Sequence, residues 1–448
     1  MNSETIRIID VYTGRVLCFL CTCLRRLVRV AVPEPSGRDS VKRILFIKLI
    51  EQGATVAAYS AIRRAVDLVG RENVFFCAFE NNRAILDLLT LNSHWIEPPA
   101  GRATGHDEAP ETQNPSPSLI PSENILCIRE TSFPAFVCDV LRTVRVVRRA
   151  RIDATVDMEF FARASVLLAF LTGARHRAGL HLFRSEGPYR GDLLTHRVQY
   201  NPYLNVAKAY LLLVETLVED PTVRPMLKAP ANRFGLLRPI FTCDAQEKAE
   251  MREMLYRALG GYRPAHLVVF NPNECDVVGL RKWPRERYIE LAQRLLASHP
   301  DTAIVLTGTA KEVEAIERMR RAIDSPRVTS VAGKTNLRDL LVLYTVSDVL
   351  VTSDSGPGHF SSMTSIDSVI LFGPETPRIF APLGPNVHIL YAELACSPCV
   401  NVYNNRFSPC SDSVCMQAIA VDEVVHEVEA CLGHRTTPDR PSSTGLEA

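Results

Sequence analysis

The chain has 448 residues, 46% of them hydrophobic and 23% charged, with 51 Lys plus Arg against 50 Asp plus Glu. That is enough chain for two cores, and it is too near neutrality for a global field that would gather nucleic acid. Its 13 cysteines are odd in number and scattered, and no cleavable signal peptide is expected, which together predict a reducing compartment and mostly free thiols.

The pattern along the chain opens with residues 1–40, an apolar and basic segment followed by a linker. Val16 to Leu24 is apolar, and Arg25, Arg26, Arg29 and Arg43 follow. It falls short of the ~20 apolar residues a spanning helix needs. A short apolar helix with a basic end predicts peripheral contact with a membrane surface. Cys18, Cys21 and Cys23 sit in apolar surroundings and read as small fillers.

From residue 42 the pattern alternates. Lys42–Leu49 reads as a strand, Ala57–Val69 as a helix, Asn73–Phe79 as a strand and Asn82–Leu89 as a helix. Residues 92–118, rich in Pro and small polar residues, read as a flexible insertion. The alternation resumes with a strand at 124–128, a helix over Phe133–Arg149, a strand at Ala154–Met158 and a helix over Ser165–Leu171. Residues 184–205 are polar, aromatic and irregular and read as a functional surface. After a helix over Ala207–Val218, a Pro-rich passage at 221–239 marks an interdomain link.

The second half repeats the architecture. Strands are expected at Leu267–Phe270, Ala303–Leu306, Val328–Ser330, Val349–Thr352 and Val369–Phe372. Helices are expected at 244–259, Pro284–Leu296, Lys311–Ile323 and Leu337–Thr345. The fold class is therefore α/β, two Rossmann-like doubly wound domains, 41–235 and 236–435, facing across a cleft, with a disordered tail at 436–448.

Three strand ends in the second half carry small and polar residues suited to an anion: Asn271-Pro272-Asn273, Thr307-Gly308, and Ser353-Asp354-Ser355-Gly356-Pro357-Gly358-His359. In the last, a strand, a Gly-rich turn and a helix start offer free N–H groups to a ligand. Lys282 beside a helix start adds a cation. Trp283 and Pro284 read as a helix-initiating packing pair. Cys396, Cys399, Cys410 and Cys415 lie within 20 residues with paired spacing, which suits a structural zinc.

Lys282-Trp283-Pro284, Thr307-Gly308, Ser353–His359 and Leu371-Phe372-Gly373-Pro374, in this order and spacing, resemble glycosyltransferase family nine, the heptosyltransferases. The resemblance spans most of residues 41–432. It implies a GT-B fold and an inverting, metal-independent transferase of lipopolysaccharide core or related glycan assembly. Such an enzyme needs no catalytic cofactor; the chain is expected to be cytoplasmic, with its N-terminal segment as the candidate for peripheral contact with the cytoplasmic face of the inner membrane. Carried over by position, Lys282 should meet the donor phosphate, and Ser355, Gly356, Gly358 and His359 should cradle the diphosphate. Asp354 and Asn273 lie in the same strand-end loops. Thr307 and Gly308 should line the donor site, and Glu375 should face the donor sugar or ribose.

One position departs from the family. The Gly-Asp expected after the first strand is Gly53-Ala54 here, and Ala54 cannot take a proton. Inverting displacement needs a base near the acceptor hydroxyl. Glu51 in the same loop is one replacement; Asp157 and Glu159, after another strand, are others, and Glu159 is preferred of those two. Arg190, His196, Arg197 and Tyr200 are the candidate acceptor contacts. The expected partners are a nucleotide-diphospho-sugar donor and a membrane-associated glycan or glycolipid acceptor, with no nucleic acid. Ala54 also supports a second reading, a non-catalytic nucleotide-sugar-binding or scaffold protein. A nucleotide-sugar epimerase of the same architecture would need no acceptor surface.

Overall fold

A computed structural model describes residues 3–31, 40–91, 95–96, 119–183, 188–273, 276–404 and 406–436. The expected tail, the linker at 33–39 and most of the 92–118 insertion lie outside them. The chain forms two compact units. The first is residues 1–242 with 378–381 and 399–409; the second is 243–377, 382–398 and 410–448.

The first unit runs α1 (Ser3–Ala31), β1 (Ile44–Ile47), α2 (Gln52–Ala57), α3 (Tyr59–Val69), β2 (Val74–Phe79), α4 (Arg83–Leu91) and β3 (Trp95–Ile96). It continues with β4 (Ile125–Ile128), α5 (Phe133–Arg149), β5 (Ala154–Asp157), α6 (Arg163–Leu171), β6 (His176–His181), β7 (His196–Gln199), α7 (Val206–Glu215) and β8 (Ile240–Phe241). Six strands form one parallel sheet in the order β4-β2-β1-β5-β6-β7. β1 is buried at all four positions, as a central strand covered by helices on both faces must be. The strand order reverses between β1 and β5, whose ends Ile47 and Asp157 lie side by side.

β6 and β7 were not expected, because HRAGLH and HRVQ read as polar. They are sheet strands because their polar groups find partners inside. Arg177 Nε donates to the Leu193 carbonyl at 2.6 Å, and its backbone N–H donates to Thr195 Oγ1 at 2.7 Å. The expectation that residues 184–205 are surface is thereby corrected: β7 lies within them, and Arg190, His196 and Tyr200 are buried.

The second unit runs α8 (Ala245–Ala258), β9 (His266–Asn271), α9 (Arg285–Ser298), β10 (Thr302–Leu306), α10 (Val313–Ile323), β11 (Val328–Ser330), α11 (Leu337–Thr345), β12 (Val349–Ser353), α12 (Gly356–Ser361) and β13 (Asp367–Phe372). After a short α13 (Pro377–Phe380), whose residues from 378 on belong to the first unit, come β14 (Val387–Tyr391), α14 (Val414–Gln417) and α15 (Val421–Thr436). Its parallel sheet has the order β11-β10-β9-β12-β13-β14, so the reversal falls between β9 and β12. Trp283 begins α9 by packing edge-on against Tyr288, and its indole N–H donates to the Ile419 carbonyl at 3.1 Å. It is a core residue, and each such buried aromatic or aliphatic side chain stabilises by ~1.5–3 kcal/mol.

Candidate active site

In open parallel sheets, ligands bind beyond the carboxyl ends of the strands where the order reverses. Both units place candidate residues there.

In the first unit the loop after β1 turns at Glu51, whose backbone has φ +70°. Lys48, fully buried, lies between two carboxylates, 3.3 Å from Glu51 and 3.1 Å from Glu159. Burial pulls the Lys48 ammonium below its ordinary range, and Glu159 opposes that pull. Glu159 Oε1 also accepts from the backbone N–H groups of Leu49 (2.6 Å) and Ile50 (3.1 Å), so this buried carboxylate holds the loop. Glu51 is half-exposed and pairs on its other side with Arg406. Burial lowers the Arg406 guanidinium to about 10, and it lies over the Phe380 ring at 5.5 Å.

The three candidate bases are therefore unlike. Asp157 is fully buried and paired with Arg190; its Oδ1 accepts from the Glu159 N–H at 3.1 Å, and burial raises its carboxyl. Its partner is spent inside as well, with Arg190 Nε donating to Ala162 O (2.8 Å) and Nη1 to Leu180 O (3.0 Å). Both residues are interior cross-links, which corrects their assignment to a base and to an acceptor contact. Glu159 positions the loop, and Glu51 alone of the three is open to solvent at the reversal point.

The other acceptor candidates fare similarly. His196 is buried beside Thr195 and His176, and burial pushes its imidazole down to about 3. Tyr200 packs against Phe160, Phe161 and Tyr403. Arg197 is half-exposed and pairs with Asp192.

In the second unit the loops after β9, β10 and β12 converge. Asn271 Nδ2 donates to Thr307 Oγ1 (3.0 Å), which donates to the Phe270 carbonyl (3.1 Å), tying the β9 and β10 ends together. Gly308 faces Ile316 and Glu312 so closely that a Cβ would sit 3.2 Å from the first. Asn273 has φ +52° and is half-buried. Ser355 stands at the start of α12, yet its hydroxyl donates back to the Ser353 carbonyl (2.9 Å) and caps nothing. The N–H groups of the first turn of α12 have no intrahelical partner. Gly358 lets the helix sit on the sheet, since a Cβ there would lie 2.9 Å from Ile370 Cδ1.

Sequence reasoning missed Arg281. It sits 3.5 Å from Asp354 and 2.7 Å from Glu375, one guanidinium serving two buried carboxylates. Its only signal was its place beside Lys282. Burial raises both acids; for Glu375 it outweighs Arg281 and lifts the carboxyl to about 7. Burial, with the Arg281 charge, lowers His359 to about 4, so it is a neutral imidazole at pH 7. Lys282 follows directly, half-buried, its N–H donating to Gly279 O at 3.3 Å. The set can hold a diphosphate with backbone N–H groups, an imidazole and two cations, and it offers Glu375 to a hydroxyl-bearing group.

The expected zinc knot is corrected. Among the described residues Cys396, Cys410 and Cys415 do not form a group of three ligand atoms within 4.8 Å; Cys415 is buried against Gly373, Cys396 is exposed, and Cys399, in the first unit, accepts from Ser408 Oγ at 3.1 Å. Among the described residues only His388, Glu427 and Cys431 place three ligand atoms within 4.8 Å of one another. There His388 lies 2.7 Å from Glu427 and 3.7 Å from Asp367. Hydrogen bonds to Asp367 and Cys431 raise it to about 10, which describes a charged imidazolium between acids.

Residues 140–407 match the model of glycosyltransferase family 9 (heptosyltransferase). Lipooligosaccharide heptosyltransferase 2 of Haemophilus influenzae is 28% identical over 231 residues, 50% of this chain and 62% of the relative. Lipopolysaccharide heptosyltransferase 2 of Salmonella typhimurium is 30% identical over 230 residues, 50% and 61%. The chain thus spans about three fifths of the length of these relatives. The solved structure of Escherichia coli ADP-heptose LPS heptosyltransferase II superposes with a TM-score of 0.60 at 19% identity, covering 88% of this chain and all of that one. A family 9 glycosyltransferase from Veillonella parvula gives 0.61 at 15% identity, covering 89% and 99%. The fold is that of these enzymes, the GT-B type, and the chain belongs to glycosyltransferase family 9.

Proposed function

We propose that the protein is an inverting, metal-independent glycosyltransferase that moves a sugar from a nucleotide-diphospho-sugar to a membrane-associated glycan or glycolipid. The observation that carries this reading is the uncapped β12–α12 turn, with Arg281, Lys282 and His359 around it, at the reversal point of the second sheet. The donor diphosphate sits on this turn. In the first unit Glu51 takes the proton of the acceptor hydroxyl. The hydroxyl oxygen bonds to the anomeric carbon, and the bond from that carbon to the diphosphate oxygen breaks. The nucleoside diphosphate leaves with the electron pair, its charge met by Arg281, Lys282 and the α12 N–H groups. Family membership and the ADP-heptose named for the solved E. coli relative make ADP the first nucleotide to test. The work is placed at the cytoplasmic face of the inner membrane, where such an acceptor is held.

The test is calorimetric binding of ADP, UDP, GDP, CMP and dTDP, with donor turnover measured alongside. One nucleotide diphosphate should bind selectively, and Lys282→Ala and His359→Ala should each weaken it at least tenfold. No selective binding would refute the donor site. Binding without turnover on any glycolipid acceptor would favour the non-catalytic reading, which Ala54 in place of the family's Asp supports.

A further inference from the structure

The first unit carries an apolar and basic face that the proposed chemistry does not use. α1 is fastened to the unit body. Asp10 Oδ1 accepts from the N–H groups of Arg163 (2.9 Å) and Ala164 (2.8 Å) at the start of α6. Thr22 Oγ1 accepts from the Asp192 N–H at 2.9 Å, and Arg25 pairs with Asp192 at 3.3 Å. Gly191 brings the chain so near that a Cβ would lie 2.7 Å from the Cys18 carbonyl oxygen. The inward face is Gly14, Cys18, Thr22 and Arg25, at helical spacing.

The opposite face of α1 is apolar and bare. Tyr12, Val16, Phe19, Leu20, Leu24 and Leu27 follow the same spacing, all exposed, Leu27 by 73%. Arg15 and Arg26 flank them. α5 packs on the same helix, α6, as α1 does. It exposes Phe133, Val137 and Leu141 along its first half, and Arg142, Arg145, Arg148 and Arg149 along its second. Asp10 of α1 and Asp139 of α5 are each turned to an arginine, Arg163 and Arg129.

We infer that the α1–α6–α5 face docks on a bilayer surface rich in anionic headgroups, the apolar side chains entering the interface and the arginines meeting phosphates. This rests on the reading that the acceptor is membrane-associated. Charge complementarity selects the bilayer over a second copy, because a two-fold contact through this face would bring two patches of the same positive sign together. None of the helices is long and apolar enough, among the described residues, to cross the membrane, so the contact is interfacial.

The test is flotation of the full chain with vesicles of phosphatidylethanolamine and phosphatidylglycerol, against phosphatidylcholine alone. The wild type should float with the anionic vesicles and only weakly with the neutral ones. Arg142→Glu with Arg145→Glu should weaken this by at least about fivefold per charge removed, and Leu20→Glu with Leu24→Glu should abolish it. Nucleotide binding, and turnover on detergent-dispersed acceptor, should be unchanged in both. Equal flotation of wild type and variants, or equal binding to both vesicles, overturns the proposal. So does a dimer in vesicle-free buffer that Leu20→Glu with Leu24→Glu dissolves. Vesicle binding intact without any donor turnover would instead remove the transferase reading and leave this face standing.

Discussion

Glu51 and Glu159 flank the same buried lysine and are assigned different work. Glu159 satisfies two backbone N–H groups and a fully buried charge, so Glu159→Gln should cost about 3–5 kcal/mol, read as a drop in the denaturation midpoint. Glu51→Gln should leave the fold and donor binding near wild type and lower kcat by ~10²–10⁴. The reverse pattern would move the base to Glu159. On the donor side Glu375 ionises near pH 7 because burial outweighs Arg281. Raising the pH through 7 adds a negative charge beside the diphosphate turn, so nucleotide affinity should fall about fivefold between pH 6 and pH 8. Glu375→Gln should flatten that profile; a profile unchanged in the variant would assign the titration elsewhere.

Local elements were legible where their chemistry is local. The strand, Gly-rich turn and helix at 349–361 need only neighbouring residues, and they form as the pattern predicts. β6, β7, β14 and α15 were not read. The first two hide behind His and Arg side chains whose partners lie on other segments, such as Leu193 for Arg177. The cysteine spacing misled for a related reason. Cys415 is drawn into the core where α14 crosses Gly373, at which a Cβ would lie 2.3 Å from Met416 Sδ. The contact between β14 and α15 has its own pH dependence. His388 is raised to about 10, so its contribution to stability is complete below its unfolded value of 6.5 and is lost as the pH rises through 10. Stability measured from pH 6 to pH 10 should decline, and His388→Gln should remove most of that decline. An identical decline in the variant would rule out His388 as its source.

At the scale of the whole molecule, alternating apolar strands and amphipathic helices determined by themselves that there are two parallel α/β sheets, because each period is set by the residues that face that element's own core. Ordered motifs likewise determined the family and the β12–α12 turn. The tertiary structure decided which charges meet. Arg281 reaches Asp354 and Glu375 from 73 and 94 positions away, and Arg406 reaches Glu51 across 355. It also decided that Asp157, Arg190 and His196 belong to the interior while one face of α1 stays bare. Charge and burial depend on neighbours brought together by folding, and no local spacing along the chain carries that information.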